Sequence, residues 1–157
     1  SCRLSAFNMK KGVIAMTGKQ FDLQRFVAAQ QPVYDTALAE LQRGKKRSHW
    51  MWFIFPQIAG LGFSSTSKFY AISGRQEAVA YLAHPLLGPR LVECAQAILP
   101  HRHLSALQIF GSPDDMKLKS SMTLFDALDP TDPVFGRVLD QFFGGARDSR
   151  TLDLLAG

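Results

Sequence analysis

The sequence predicts an all-α protein: a single compact globular domain of about seven short helices that is not a simple up-down bundle. Apolar residues recur at helical spacing, most clearly at Leu87, Leu91, Cys94, Ala95 and Ile98. Helix start and stop signals follow one another at short intervals, and no run alternates apolar and polar residues as a half-buried strand would. The length of 157 residues fits one hydrophobic core.

The first half of the chain begins with two helices. Asp22 is placed to cap the first, and Pro32 fits the first turn of the second, which Gly44 ends. The stretch 48–57 is apolar all round, so it is either a buried strand or a short buried helix, because periodicity does not distinguish the two. Pro56 ends it in either case.

Start signals predict further helices in the rest of the chain. A short helix over 104–110 is predicted in addition. Gly144 ends the helix before the last. The start signals are Ser64 or Ser65, the capping box of Ser73 and Gln76, Pro85, the pair Ser112 and Pro113, the pair Asp132 and Pro133, and Asp148.

The positive charge is concentrated at one end of the chain. The whole sequence carries a formal charge of +5, but residues 1–20 hold four basic residues and no acidic one. From Phe21 onward, 14 basic and 13 acidic residues leave only +1. A nearly neutral domain lacks the electrostatic footprint of a duplex binder, so no nucleic-acid partner is predicted. Residues 1–20 show no sustained periodicity, and we expect them to be a non-native or disordered leader to a domain spanning 21–157.

The compartment is predicted from three absences in the sequence. Two cysteines, Cys2 and Cys94, do not make a disulfide framework. The apolar run 13–16 is shorter than the roughly 7–15 residues of a signal-peptide core. The most apolar stretch, 50–63, falls short of the about 20 residues that span a bilayer. A cytoplasmic protein with no membrane association is expected.

No conventional catalytic or cofactor signature is present. The sequence has no G-x-S-x-G, H-E-x-x-H, paired C-x-x-C or G-x-G-x-x-G motif. His101 and His103 lie two apart in a predicted loop without a third ligand in sight, which favours a solvated loop over a metal site. No metal and no cofactor are therefore predicted.

One candidate site segment is 45–57, where basic residues run into an aromatic cluster. Arg47 would neutralise an anion, Trp50 or Trp52 would stack on a flat ring, and His49 and Gln57 would supply hydrogen bonds. The structural alternative is that the basic residues cover a helix C-terminus and the tryptophans belong to the core. His49 and Gln57 flank an apolar run, where polar groups need hydrogen-bond partners. Those partners are either a ligand or other residues of the protein.

The second candidate segment lies on the helix that begins near residue 114. Asp114, Lys117 and Ser121 share one stripe at i, i+3 and i+7. Asp114 could act as a base, Lys117 could orient an anion, and Ser121 places a hydroxyl beside apolar neighbours. The structural alternative is an acidic helix start with a hydroxyl bonded back to the carbonyl at i−4.

Long strings of this sequence resemble a known bacterial family. The strings FDLQRF (21–26), RSHWMWFIFPQ (47–57) and IFGSPDDMKLKSSMTLF (109–125) are similar to those of the "domain of unknown function 1810" family. The resemblance extends over nearly all of 21–155 and implies a mainly α-helical cytosolic fold. It supplies no activity and no catalytic residues. Some members carry the label calpastatin, which suits a disordered inhibitor and conflicts with the apolar-rich composition here.

The leading functional hypothesis is binding, with processing as a further step, of a small anionic, nucleotide-like metabolite in a cleft between 47–57 and 114–123. His49, Asp114 and Ser121 are the candidate catalytic residues. The candidate ligand-binding residues are Arg47, Trp50, Trp52, Gln57 and Lys117. The alternative is a regulatory or adaptor module that binds another protein, which would present an exposed apolar patch rather than a concave polar site.

Overall fold

The computed structural model describes residues 21–157, and every regular element in this range is an α-helix. These residues form no strand, and a single parallel bridge joins Ile58 to Ile72. The helices in this range are α1 (Gln24–Gln30), α2 (Tyr34–Arg43), α3 (Met51–Ile54), α4 (Ser65–Phe69), α5 (Arg75–Ala83), α6 (Leu87–Ile98), α7 (Ala106–Phe110), α8 (Asp114–Asp126), α9 (Val134–Phe143) and α10 (Ser149–Ala156).

The prediction of an all-α domain is confirmed. Residues 21–157 hold ten helices, more than the expected number of about seven, and three of them, α3, α4 and α7, are only four or five residues long. The ambiguous stretch 48–57 contains the buried single-turn helix α3 and no strand. The expected leader, residues 1–20, lies outside the described residues.

Two long helices organise the packing. Helix α8 contacts α7, α9 and α10, while α6 contacts α2, α5 and α9. A row of buried aromatic rings connects these layers: Phe26 meets Tyr81 edge-on at 5.0 Å between centroids, Tyr81 lies 5.5 Å from Phe125, and Phe125 lies 5.8 Å from Phe135. Because large aromatic side chains bury the most apolar area per residue, this row forms the centre of the core.

The predicted glycine stops are confirmed, since Gly44 and Gly144 end α2 and α9 in the left-handed conformation, with φ of 77° and 61°. The capping box predicted at Ser73 and Gln76 is wrong. Helix α5 begins after Gly74, and it is Glu77 that accepts a hydrogen bond from the Ser73 N–H at 2.8 Å.

A capping box that the sequence reading missed lies at α7. The Ser105 hydroxyl accepts from the Gln108 N–H at 3.1 Å, and the Gln108 side-chain oxygen accepts from the Ser105 N–H at 2.8 Å. The prediction that Asp22 caps α1 is wrong, because Leu23 occupies that position without a side-chain bond. Among residues 21–157, no helix combines the length and the apolar character that crossing a bilayer demands.

Helices α5 and α6 approach closely at Gly88, near the start of α6. A Cβ at this position would lie 2.1 Å from the carbonyl oxygen of Leu82 in α5, which is far inside van der Waals contact. The clash is with backbone, so no side-chain rotation relieves it. Only glycine fits this crossing.

We therefore predict that Gly88→Ala lowers the free energy of unfolding by about 3 kcal/mol through overpacking. Urea denaturation should show a lower midpoint with an unchanged slope. Gly74→Ala is the matched control, because its backbone is extended and no heavy atom lies within 4 Å of the place that the added methyl group would take. Its effect should stay within about 1 kcal/mol. Equal losses in the two variants would contradict the packing argument.

Candidate functional site

The candidate site depends on a buried carboxylate in α2. Glu40 is 5% exposed and accepts four hydrogen bonds: from the N–H groups of Arg47 and Ser48 at 2.9 and 3.1 Å, from the Ser48 hydroxyl at 2.6 Å, and from the Trp50 indole at 2.9 Å. A buried charge is tolerated only when it is fully bonded. Glu40 therefore fixes the path of the turn 47–50, and we call this arrangement the Glu40 clamp.

The pKa of Glu40 reflects this arrangement. Burial by itself raises the pKa of the carboxyl, but the hydrogen bonds from Ser48, Arg47 and Trp50 outweigh burial and lower the pKa to about 2. The group is thus ionised at neutral pH, and its charge is used inside the protein to hold the turn that precedes α3.

The two candidate segments meet at an ion cluster. Lys46 Nζ lies 3.0 Å from Asp114 Oδ2, and Lys117 Nζ lies 3.3 Å from Asp114 Oδ1. The side chains are 8–20% exposed, so the charges are only partly solvated. The Lys46 ammonium also donates to the Ser48 carbonyl at 2.7 Å. One carboxylate at the start of α8 therefore holds two ammonium groups, one from each segment.

The two tryptophans of the aromatic run have different surroundings. Trp50 is 1% exposed and its indole N–H is bonded to Glu40, so it is a core residue. Trp52 is half-buried, and the Lys117 ammonium lies 3.5 Å from the centroid of its ring. This distance is typical of a cation–π contact, which holds the lysine over the ring face.

A cavity of about 130 Å³ opens where the two segments meet. We call it the cation cavity. It is bounded by both segments, and its lining residues are Lys46, His49, Trp50, Met51, Trp52, Asp114 and Lys117.

A wider, open depression of about 790 Å³ adjoins the cation cavity and shares His49 and Trp52 with it. A third space of about 130 Å³, the Gln57 cavity, shares Trp52 and Tyr70 with the depression. The remaining lining residues of the depression are Phe53, Ser65, Thr66 and Phe69. Trp52 thus borders all three spaces.

Six of the eight predicted site residues border these spaces. His49, Trp50, Trp52, Asp114 and Lys117 line the cation cavity, and Gln57 lines the adjoining Gln57 cavity. The structure does not support stacking on Trp50, because its ring has almost no accessible surface.

Arg47 and Ser121 are not brought into these spaces. The Arg47 side chain is exposed and only its backbone N–H is used, in the Glu40 clamp. Ser121 is completely buried among the apolar residues of α8, and its hydroxyl finds no hydrogen-bond partner in the part of the chain that the structure describes. The bond from its hydroxyl to the carbonyl at i−4 is therefore not formed either. Thr123 makes that kind of bond, to Lys119, at 2.8 Å.

Lys46 lines the cation cavity but was not among the residues that the sequence singled out. It lies in the basic run that drew attention to Arg47, but its backbone N–H donates to the Ile109 carbonyl at 2.8 Å and its side chain turns towards Asp114. The available signal was the run of three basic residues after Gly44. Which of Lys45, Lys46 and Arg47 lies near Asp114 depends on the backbone conformation after Gly44.

Lys46, Asp114 and Lys117 form one ion cluster at the edge of the cation cavity. Both oxygens of Asp114 are engaged by ammonium groups, so the carboxylate orients the two lysines. Among residues 21–157, no three His, Cys, Asp or Glu side chains are grouped as metal ligands. His101 bonds through Nε2 to the Leu41 carbonyl at 2.9 Å and so satisfies the C-terminal end of α2.

A family model described as "protein of unknown function (DUF1810)" matches residues 20–155. The chain belongs to this family. A comparison of this family member with curated proteins finds no significant match. A solved structure is similar: the crystal structure of the conserved hypothetical protein Rv1873 from Mycobacterium tuberculosis, with 50% sequence identity and a TM-score of 0.82. The similarity covers 87% of this chain and 98% of that one. The resemblance and the all-α fold stated above are thus confirmed.

The Glu40 clamp gives this DUF1810 chain a testable pH dependence. The carboxyl pKa is about 2 in the folded chain and about 4.3 in an unfolded one, so the clamp contributes fully above about pH 5 and is lost as the pH falls towards 2. The contribution is on the order of 3 kcal/mol. Glu40→Gln should be less stable than wild type by about this amount at pH 6, and the difference should shrink on acidification.

Chemical denaturation between pH 6 and pH 2 measures this difference. Asp153→Asn, on the exposed side of α10, is the control and should follow the wild-type curve. A wild-type advantage over Glu40→Gln that stays constant across this pH range would show that the charge of Glu40 does not hold the turn.

Proposed function

We propose that this protein binds a small anionic ligand with a flat ring, of the nucleotide type, on the surface around Trp52. The observation that carries the proposal is the cation cavity, in which Lys46, His49 and Trp52 of one segment face Asp114 and Lys117 of the other. Such a site combines a charged end with an adjoining aromatic surface, which are the two features that an anionic ring compound requires.

The charge balance of the cavity favours an anion. Two ammonium groups share one carboxylate, which leaves one uncompensated positive charge at the cavity. The side chains of Lys46, Asp114 and Lys117 are largely withdrawn from solvent. Electrostatic attraction is stronger in such surroundings than in bulk water. Lysine binds phosphate as a point charge, so two positioned lysines suit a phosphoryl or carboxylate group.

The adjoining depression supplies a surface for the ring. Trp52, Phe69 and Tyr70 line it, and Phe69 and Tyr70 pack edge-to-face at 4.8 Å between centroids. Base–aromatic stacking is worth about 1–3 kcal/mol, and it does not depend on the identity of the base. The depression also contains the Ser65 and Thr66 hydroxyls, which suit the polar groups of a sugar.

We expect nucleoside monophosphates to raise the melting temperature of the wild-type chain and to quench its tryptophan fluorescence through Trp52. Lys117→Met should weaken this binding at least about tenfold, because a charge-assisted contact is lost. Lys119→Met, two residues further along α8, is the matched control, since Lys119 lines none of the three spaces. Calorimetric titration measures the dissociation constants.

Equal affinity in the Lys117 and Lys119 variants would contradict this placement of the anion. Melting curves without ligand verify that both variants are folded. Because Lys117 is partly exposed, the loss of its ion pair should change stability by no more than about 1 kcal/mol.

A second proposal is a regulatory or adaptor module that binds another protein. It is supported by two exposed phenylalanines, Phe63 and Phe69, which are 82% and 55% exposed. The first proposal has the stronger support because the charged groups of both segments line one small cavity. A wild-type chain that is stabilised by no phosphate-bearing compound would favour the second.

A further inference from the structure

We propose that the Gln57 cavity is a second subsite, which receives the neutral hydrogen-bonding edge of the ligand's ring, and that Gln57 determines which ring is accepted. This inference rests on the proposed function and deepens it. The cation cavity holds the anionic group, and the Gln57 cavity forms hydrogen bonds with the edge of the ring. The ligand class is a nucleotide, because the edge of its base supplies both a donor and an acceptor for a primary amide.

The size of the two smaller spaces favours a divided site. Each has a volume of about 130 Å³, whereas pockets that enclose a whole drug-sized ligand occupy roughly 300–1,000 Å³. Each space therefore accommodates one group of a ligand. The open depression between them, at about 790 Å³, has room for the body of the molecule.

The three spaces are contiguous through shared side chains. His49 and Trp52 border both the cation cavity and the depression, while Trp52 and Tyr70 border both the depression and the Gln57 cavity. The proposal places the body of the ligand against Trp52 in the depression, its anionic end in the cation cavity and its ring edge in the Gln57 cavity.

The lining of the Gln57 cavity is chemically different from that of the cation cavity. The polar side chains are Gln57, Ser67, Lys68 and Tyr70, and Lys68 is exposed. Neither the Gln57 amide nor the Tyr70 hydroxyl bonds to another residue of 21–157, although both border the space. A primary amide presents a donor beside an acceptor, which is the pattern that glutamine uses to bind the edge of adenine.

The backbone of Gln57 is fixed, which prepares its side chain for recognition. Its carbonyl accepts from the Ile72 N–H at 2.8 Å, and the Ala59 N–H donates to the Ile72 carbonyl at 2.8 Å. These bonds form the parallel bridge of the fold. The bridge therefore holds Gln57 at the border of the cavity.

The opposite wall of the cavity is held from α1. The Arg25 guanidinium donates to the carbonyls of Phe69 and Ala71 at 2.8 and 2.9 Å and pairs with the buried Glu77 at 2.9 Å. On the near side, Gly62 approaches Ser67 so closely that a Cβ would lie 2.7 Å from the serine side chain. Both walls are therefore rigidly positioned.

The test is a calorimetric titration of the full chain with AMP, GMP, CMP, UMP and ribose 5-phosphate, which carries the anion without a base. The variants are Gln57→Met, which keeps the length of the side chain but removes its hydrogen bonds, and Tyr70→Phe, which removes one hydroxyl. Gln96→Met, on the exposed side of α6, is the matched control. Melting curves of each variant verify folding.

We expect the wild-type chain to prefer one nucleotide. Gln57→Met should weaken the binding of that nucleotide about tenfold and leave the affinity for ribose 5-phosphate unchanged. Tyr70→Phe should have a smaller effect in the same direction. The inference is overturned if Gln57→Met and Tyr70→Phe leave the affinity for every nucleotide unchanged. It is also overturned if they weaken the binding of ribose 5-phosphate as much as that of the preferred nucleotide. In either case, loss of binding in Lys117→Met would still support the proposed function. If wild type binds none of the phosphate compounds, the proposed function fails and this inference fails with it.

Discussion

The buried charge of Glu40 is the constraint on which the candidate site depends. An ionised carboxylate that is 5% exposed must keep its donors, because leaving such a charge unpaired costs several kcal/mol. Its donors all belong to the turn 47–50. The turn therefore cannot move away from α2. Lys46 and His49, at the edge of the cation cavity, take their positions from this turn.

A second carboxylate, Asp114, links the turn to α8. Long lysine side chains normally sample many rotamers, and ordering them on binding costs free energy. Here the two ammonium groups are already held by Asp114, and Lys117 also lies over the Trp52 ring. The arrangement keeps the positive charges in place before any ligand arrives, while α8 itself is anchored by its packing on α7, α9 and α10.

The two tryptophans show why composition alone does not define a binding surface. They lie two residues apart at the start of α3, and successive helical residues are rotated by about 100°, so the two side chains leave the helix on different sides. Trp50 faces the core, where its ring lies near Phe55 and Phe110 and its indole bonds to Glu40. Trp52 remains half-buried at the junction of the three spaces.

The helical class, the glycine stops at Gly44 and Gly144 and the apolar stripe of α6 were predictable from the sequence, because they follow from local backbone preference and from the spacing of apolar residues. The sequence also singled out both segments that border the cation cavity. It could not predict that Lys46 and not Arg47 faces Asp114, that Ser121 is enclosed in the core, or that Glu40 holds the turn. Those outcomes depend on contacts between residues remote in sequence, and no local pattern records which side of a turn or helix another element will cover.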